Sequence, residues 1–211
     1  KNDPTATIVA PALAGLNADS LKWLEEIIDK GTLKYIDDVS VHPYRESPPE
    51  TAIQDYYYLK KLIIKYSKRV NIISGEWGYS TGWSTINLSD NQQAKYLIRM
   101  LMVNSYSGIP ISIWYDWKND GIDPSNGEHN FGLRENDVTV PKLAYLAMKT
   151  FTDEFFNYKF SKRIKIKSDD DYVFVFKNQK GETKTVCWTV GNSHEIKLPK
   201  NIKGNIKSIY G

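Results

Sequence analysis

The chain has 211 residues, 41% of them hydrophobic and 25% charged, with a formal net charge of +3. This composition is ordinary for a globular protein and excludes collagen-like and disordered chains, and the interspersed charges give no indication of a nucleic-acid-binding stripe. The single cysteine, Cys187, excludes an intrachain disulfide and a cysteine metal cluster, and no apolar run is long enough to predict a transmembrane helix.

The first 156 residues alternate between apolar runs typical of strands and amphipathic stretches typical of helices. Strands are predicted at residues 6–10, 36–41, 71–74 and 111–115. Helices are predicted at residues 17–30, 49–66 and 89–104, and from Thr139, as N-cap, to Phe151 with Pro141 in the first turn. Four strand-then-helix units in succession predict an α/β fold with a parallel sheet and right-handed crossovers.

The pattern changes after Phe156, where short β-strands replace the strand–helix alternation. These strands are predicted at residues 163–167, 172–177, 184–190, 195–198 and 206–210, with a hairpin turn at 178–181. Residues 169–171 are interpreted as a solvated turn and Cys187 as a small buried hydrophobe. We therefore divide the chain into a parallel α/β region, 1–156, and a small antiparallel β appendage, 157–211.

Candidate functional residues follow the predicted strands, because the sites of parallel α/β folds lie beyond the carboxyl ends of their strands. The first strand is followed by no reactive side chain. The second is followed by His42 to Arg45, the third by Gly75 to Tyr79 and the fourth by Trp114 to Trp117. One carboxylate, one histidine and several aromatic rings thus share a rim, and aromatic walls suit the apolar faces of sugar rings.

These segments resemble three motifs of the clan A retaining glycoside hydrolases, which are (β/α)8 barrels. The sequence Ile-Ile-Ser-Gly-Glu76-Trp-Gly-Tyr resembles the nucleophile motif of their seventh strand. Val-Ser-Val-His42-Pro-Tyr44 resembles the sixth-strand motif, and Ile-Trp114-Tyr-Asp-Trp resembles the eighth. The order agrees with that of the clan, so the resemblance implies that the four strands are strands five to eight of a barrel.

The resemblance implies a role for each rim residue. Glu76 would be the nucleophile, His42 and Tyr44 would orient it, and Trp114 would form the floor under the sugar. Further sugar contacts would come from Trp77, Tyr79, Trp117 and Asp116. The alternative, purely structural roles are that Glu76 caps a helix or pairs with a lysine, and that the loop aromatics only cover the core. No cofactor or metal is implied, and such enzymes usually act in the extracellular space or the periplasm.

The chain departs from the clan pattern in its length and in one missing motif. The clan's acid/base glutamate follows strand four in an Asn-Glu dipeptide, and this sequence contains no such dipeptide. A full barrel needs about 250 residues, whereas four units here use 156. We therefore expect the C-terminal half of a glycosidase for β-linked glycans, inactive alone, which associates with itself or with a missing N-terminal half.

Two other interpretations stay open. A naturally short chain could bind oligo- or polysaccharide through its aromatic rim without cleaving it. A different open α/β protein, such as a flavodoxin-like domain, would need a phosphate-binding loop, which the sequence lacks.

Overall fold

The computed structural model describes residues 3–66, 69–200, 202 and 204–211. Its first part is a four-stranded parallel sheet in which the strands lie side by side in chain order. The strands are β1 (Val9–Leu13), β2 (Asp38–Val41), β3 (Asn71–Trp77) and β4 (Ser112–Trp114). Each strand is followed by a helix: α1 (Ala18–Asp29), α2 (Ala52–Tyr66), α3 (Asp90–Tyr106) and α4 (Leu143–Phe155). The predicted strand–helix alternation and parallel sheet are confirmed.

The helix ends show why these segments fold as they do. The Asn17 side chain accepts a hydrogen bond from the Ser20 backbone N–H at 2.9 Å, which caps α1, and Gly31 follows that helix with a left-handed φ of 83°. Ser89 and Gln92 form the predicted capping box at the start of α3. A 3₁₀ turn, Pro49–Thr51, leads into α2.

Several predicted boundaries in the α/β region are wrong, and two of them have a clear local cause. Thr139 does not cap α4, because its backbone N–H and its hydroxyl bond the Asp137 carboxylate in a local turn. The chain stays extended through Pro141, which bridges Arg134, so the helix begins only at Leu143. The first strand begins at Val9 rather than residue 6, because residues 3–6 form a turn around the Asp3 carboxylate.

The two faces of the parallel sheet have different surroundings. On one face Ser112 accepts a hydrogen bond from Asn104 of α3 at 2.9 Å, and the main apolar core lies between this face and the helices. On the other, Val9, Ile111 and Ile113 remain 43%, 48% and 49% exposed. We call this second surface the uncovered face. Among the described residues, β1 pairs only with β2 and β4 only with β3, so both edges of the sheet are open.

The second sheet is antiparallel and consists of β5 (Lys159–Arg163), β6 (Asp171–Lys177) and β7 (Thr183–Thr189). The predicted hairpin turn at 178–181 is confirmed: the Gly181 N–H bonds the Asn178 carbonyl at 3.1 Å. Phe174 stacks on Tyr106 of α3 with ring centroids 5.0 Å apart, and Phe176 packs edge-on against Phe155 of α4 at 5.1 Å. The appendage therefore shares a core with the helices.

Several predictions in the appendage are wrong. No strand forms at 195–198 or 206–210; residues 195–197 are exposed, and Ile206 is fully exposed. The strand predicted at 163–167 forms earlier in the chain, as β5 at Lys159–Arg163, because those are the residues that pair with β6. Asp171 is buried at the start of β6 and contacts His194, and Cys187 is exposed because Val186 and Trp188 point inward on either side of it. In the described part of the chain, no helix combines the length and apolarity that a membrane crossing requires.

Candidate active site

The candidate nucleophile Glu76 lies near the carboxyl end of β3, which runs three residues further than the sequence predicts. The pairing of β3 with β4 shifts register between Ser74 and Trp77, and this irregularity re-aims the side chains between them. Gly75 leaves room for a close approach here, because a Cβ at this position would lie 2.1 Å from the Ser40 hydroxyl oxygen and the serine side chain would have to move. Glu76 thus reaches the rim with its side chain 36% exposed.

Two side chains from the end of β2 flank the Glu76 carboxylate. The Tyr44 hydroxyl donates a hydrogen bond to Glu76 Oε1 at 2.7 Å, and His42 Nδ1 lies 3.8 Å from Oε2. Since β2 and β3 are neighbouring parallel strands, their carboxyl ends bring the three residues to one point. The structure therefore places the three predicted catalytic residues together; their catalytic roles remain predictions.

The Tyr44 hydroxyl stays protonated in this position and acts as a hydrogen-bond donor. Burial raises the pKa of its hydroxyl above the usual range, and the hydrogen bond to the Glu76 carboxylate raises it further. The phenol therefore keeps its proton at physiological pH. A hydrogen bond donated to one carboxylate oxygen restricts the orientation of the group, so the arrangement suits a positioned carboxylate.

Trp114 lies on the same rim, at the end of β4. Its indole N–H donates to the Phe131 carbonyl at 3.2 Å, and the ring remains partly exposed. Trp114 pairs in register with Trp77 of β3, so it lies on the strand next to the one that carries Glu76. This position is compatible with the predicted sugar floor.

Trp77 and Tyr79 do not match their predicted role as sugar contacts, because both side chains are fully buried. The Tyr79 hydroxyl donates to the Ser47 carbonyl at 2.9 Å, and the Arg45 guanidinium lies 5.4 Å from the centre of the Trp77 ring. The two rings pack the base of the rim instead of forming its wall. The interpretation of loop aromatics as core cover applies to these two.

Trp117 and Asp116 follow Trp114 but contact other partners. The Trp117 ring is 56% exposed and lies against Arg134 at 5.3 Å and edge-on to Tyr145 of α4 at 6.1 Å. Burial, together with the negative charge of Asp120, raises the pKa of Asp116 to about 6. One of its carboxylate oxygens is buried without a hydrogen-bond partner among the described residues. No hydrogen bond or ion pair joins either residue to Glu76 in the described part of the chain.

Phe131 is a buried residue that packs behind the rim, and sequence reasoning missed it. Its ring packs edge-on against Tyr44 at 5.9 Å and against Tyr115 at 5.3 Å, and its carbonyl accepts the Trp114 N–H. It therefore joins the residues that follow β2 to those that follow β4. Phe131, Gly132 and Leu133 are the apolar stretch within the long polar loop, which is the signal that could have identified it.

Among the comparisons with known proteins, only the comparison with solved structures finds a similar protein. No protein-family model and no curated protein sequence matches the chain. The structure is similar to a family 39 glycoside hydrolase from the gut symbiont Bacteroides cellulosilyticus WH2, with a TM-score of 0.69 and 28% identity over 80% of this chain. The chain spans 37% of that structure's length.

A second similar structure is a glycoside hydrolase family 17 β-1,3-glucanosyltransferase from Rhizomucor miehei. Its TM-score is 0.40, with 14% identity over 58% of this chain and 54% of that one, which is too distant for an argument. The similarity to the family 39 structure supports a relationship between this chain and the glycoside hydrolases.

Proposed function

We propose that this chain carries the nucleophile of a retaining glycoside hydrolase that acts on β-linked glycans. The observation that carries the proposal is the contact of the Glu76 carboxylate with Tyr44 at 2.7 Å and with His42 at 3.8 Å. This group lies where parallel α/β folds place their chemistry. The similarity to a glycoside hydrolase structure supports it independently.

In the proposed reaction Glu76 Oε attacks the anomeric carbon of the sugar. A carbon–oxygen bond to Glu76 forms, and the bond to the leaving-group oxygen breaks, with its electron pair going to that oxygen. A second carboxylic acid protonates the leaving group and then, as a base, activates the water that releases the sugar. Tyr44 and His42 hold Glu76 in line, and Trp114 lies under the ring.

The second carboxyl group is expected to come from outside the four described strand–helix units. Retaining enzymes place the two carboxyl groups about 5–5.5 Å apart. No residue of this chain lies in the clan's acid/base motif. Without that group, leaving-group protonation, which is typically worth about 10²–10⁴-fold, is lost, so natural glycans should be turned over poorly by the chain alone.

We further propose that the four strands are half of an eight-stranded barrel. Parallel sheets are normally buried on both faces, but here the uncovered face exposes Val9, Ile111 and Ile113, and both edges of the sheet are open. The chain also spans 37% of the similar family 39 structure. Four further strands that pair with β1 and β4 would cover this face and close the barrel.

The test uses a substrate whose leaving group needs no proton. The chain is incubated with 2,4-dinitrophenyl 2-deoxy-2-fluoro-β-glycosides of glucose, xylose and mannose, and its intact mass is measured. The expected result is the mass gain of one fluoroglycosyl group with at least one sugar, and no gain in Glu76→Gln. Reversible binding of the parent sugar without any mass gain would instead favour a carbohydrate-binding half barrel.

A further inference from the structure

A buried carboxylate outside the candidate active site, Glu50, joins three parts of the fold. Its side chain is 5% exposed, lies in the 3₁₀ turn before α2 and makes a two-pronged ion pair with Arg99 of α3. The indole N–H of Trp188, on β7 of the appendage, donates to Glu50 Oε1 at 2.6 Å. A buried carboxylate with three charge-assisted donors has one defined position, because each lost donor would leave buried charge unpaired.

The turn that carries Glu50 ends the loop that carries Tyr44. Thr51, the next residue, accepts a hydrogen bond from Arg45 at 3.0 Å and contacts the Ser47 hydroxyl at 2.8 Å. Only five residues separate Tyr44 from Glu50 along the chain. The position of Glu50 therefore limits where Tyr44 can lie.

A second path leads from Glu50 to the segment after β3. The Arg99 guanidinium lies 4.9 Å from the centre of the Tyr96 ring, and Tyr96 packs edge-on against Tyr79 at 4.9 Å. Tyr79 follows Glu76 by three residues, and its hydroxyl bonds the Ser47 carbonyl at 2.9 Å. Glu50 is thus tied both to the loop of Tyr44 and to the segment of Glu76.

We propose that Glu50 is a positioning residue for the Tyr44–Glu76 pair, and that Trp188 makes this positioning depend on the β5–β7 sheet. The appendage then sets the geometry of the rim rather than only covering helices. The catalytic meaning of this inference rests on the proposed function, but the mechanical coupling does not.

The test is nuclear magnetic resonance of the full 211-residue chain with ¹³C-labelled tyrosine and histidine rings. Trp188→Phe removes the indole N–H and keeps an aromatic ring where Trp188 stacks on Tyr172. We expect the Tyr44 and His42 ring signals to shift or broaden in this variant while the chain stays folded. Glu50→Gln, which keeps an acceptor but loses the charge, should move the same signals even if Trp188→Phe folds poorly.

The matched control is Tyr210→Phe, which removes a hydrogen bond from the C-terminal segment to Asn91, also on α3. This variant weakens another contact between the C-terminal region and α3 and leaves Glu50 untouched. The Tyr44 and His42 signals should therefore stay in place. Unchanged signals in Trp188→Phe and Glu50→Gln, or equal changes in Tyr210→Phe, would overturn the proposal. The readout needs no turnover, so a chain that fails to form a glycosyl-enzyme would refute the proposed function and leave this coupling intact.

Discussion

Tyr44 and Glu76 form the contact on which the candidate chemistry depends. Hydrogen bonds to charged groups contribute about 1.5–3 kcal/mol, and this bond also fixes which carboxylate oxygen faces the rim. The histidine at 3.8 Å is a weaker partner in this geometry, because the separation exceeds a normal hydrogen bond. Tyr44 should therefore matter more than His42 for the orientation of the carboxylate.

Tyr44→Phe tests this ordering. Loss of the donated hydrogen bond should slow covalent labelling of Glu76 by an activated fluoroglycoside by about 10–100-fold, the rate equivalent of that hydrogen-bond energy. The labelling rate is followed by intact mass. Tyr115→Phe is the control, because the Tyr115 hydroxyl lies 3.4 Å from Asp120 and does not contact Glu76. Equal rates for Tyr44→Phe and the unmodified chain would show that the hydroxyl has no such role.

Gly75→Ala tests the close approach of β2 and β3 below the carboxylate. The new methyl group would lie 2.1 Å from the Ser40 hydroxyl oxygen, so we expect a loss of about 1–3 kcal/mol in the free energy of unfolding, measured with urea. Adding Ser40→Ala removes that oxygen and should restore most of the loss. Gly15→Ala is the control, since its methyl group would meet only Asn17 at 3.6 Å. A double variant no more stable than Gly75→Ala would disprove the steric account.

The sequence predicted the carboxylate, the histidine and the tyrosine of the site, because strand ends can be located from hydrophobic runs. It did not separate Trp77 and Tyr79 from the exposed rim. Both follow a strand and are aromatic, and only tertiary packing against Arg45 and Tyr96 buries them. Phe131 was missed because its partners are more than ten residues away in sequence.

At the scale of elements, local signals were predicted well and long-range ones poorly. The Ser89 capping box and Gly31 are local signals. As predicted, α3 begins after Ser89 and α1 ends before Gly31. The start of α4 was mispredicted because a backbone bridge from Arg134 keeps Pro141 extended, and no neighbouring residue reveals such a bridge. The appendage strands depend on pairing alone, so a predicted strand without a partner does not form.

Glu154 of α4 links the helix layer to the appendage through ion pairs with Lys184 of β7 and with Lys207. These two hydrogen-bonded lysines lower the pKa of Glu154 to about 2. A carboxyl group with a lowered pKa in the folded state stabilises the fold above its unfolded pKa, and this contribution is lost as the pH falls.

Glu154→Gln should therefore be less stable than the unmodified chain at pH 7, and the difference should shrink between about pH 4.5 and pH 2. Thermal unfolding midpoints across this range measure the effect. Asp153→Asn is the control, because Asp153 pairs with Lys149 on the same exposed helix surface and, among the described residues, with no lysine of the appendage. A constant difference between Glu154→Gln and the unmodified chain across this pH range would contradict the assignment.

At the scale of the whole molecule, the parallel sheet of the described residues has two unpaired edges and one face with exposed apolar side chains. Apolar side chains on its uncovered face and hydrogen-bonding groups on both edges face solvent, which favours association with further strands. The number of strands, four, is half of the eight that close a small barrel. The proposed half barrel therefore accounts both for the exposed face and for the two open edges.

The chain by itself should associate at micromolar concentration, as sedimentation velocity can measure. Ile113→Lys places a charge on the uncovered face beside the open edge of β4 and should shift the chain towards monomer. Ile122→Lys is the control, since Ile122 is 88% exposed in the loop after β4. Monodisperse monomer for the unmodified chain would count against the half-barrel proposal.

The central claim is that Glu76 is a nucleophile, and the most direct measurement is peptide mapping of the chain after labelling with an activated fluoroglycoside. Tandem mass spectrometry locates the ester. We predict that the fluoroglycosyl group lies on Glu76, and that Asp120→Asn, which alters the carboxyl group 3.4 Å from the Tyr115 hydroxyl, leaves the labelling unchanged. A label on any other carboxylate, or sugar binding with no label at all, would contradict it.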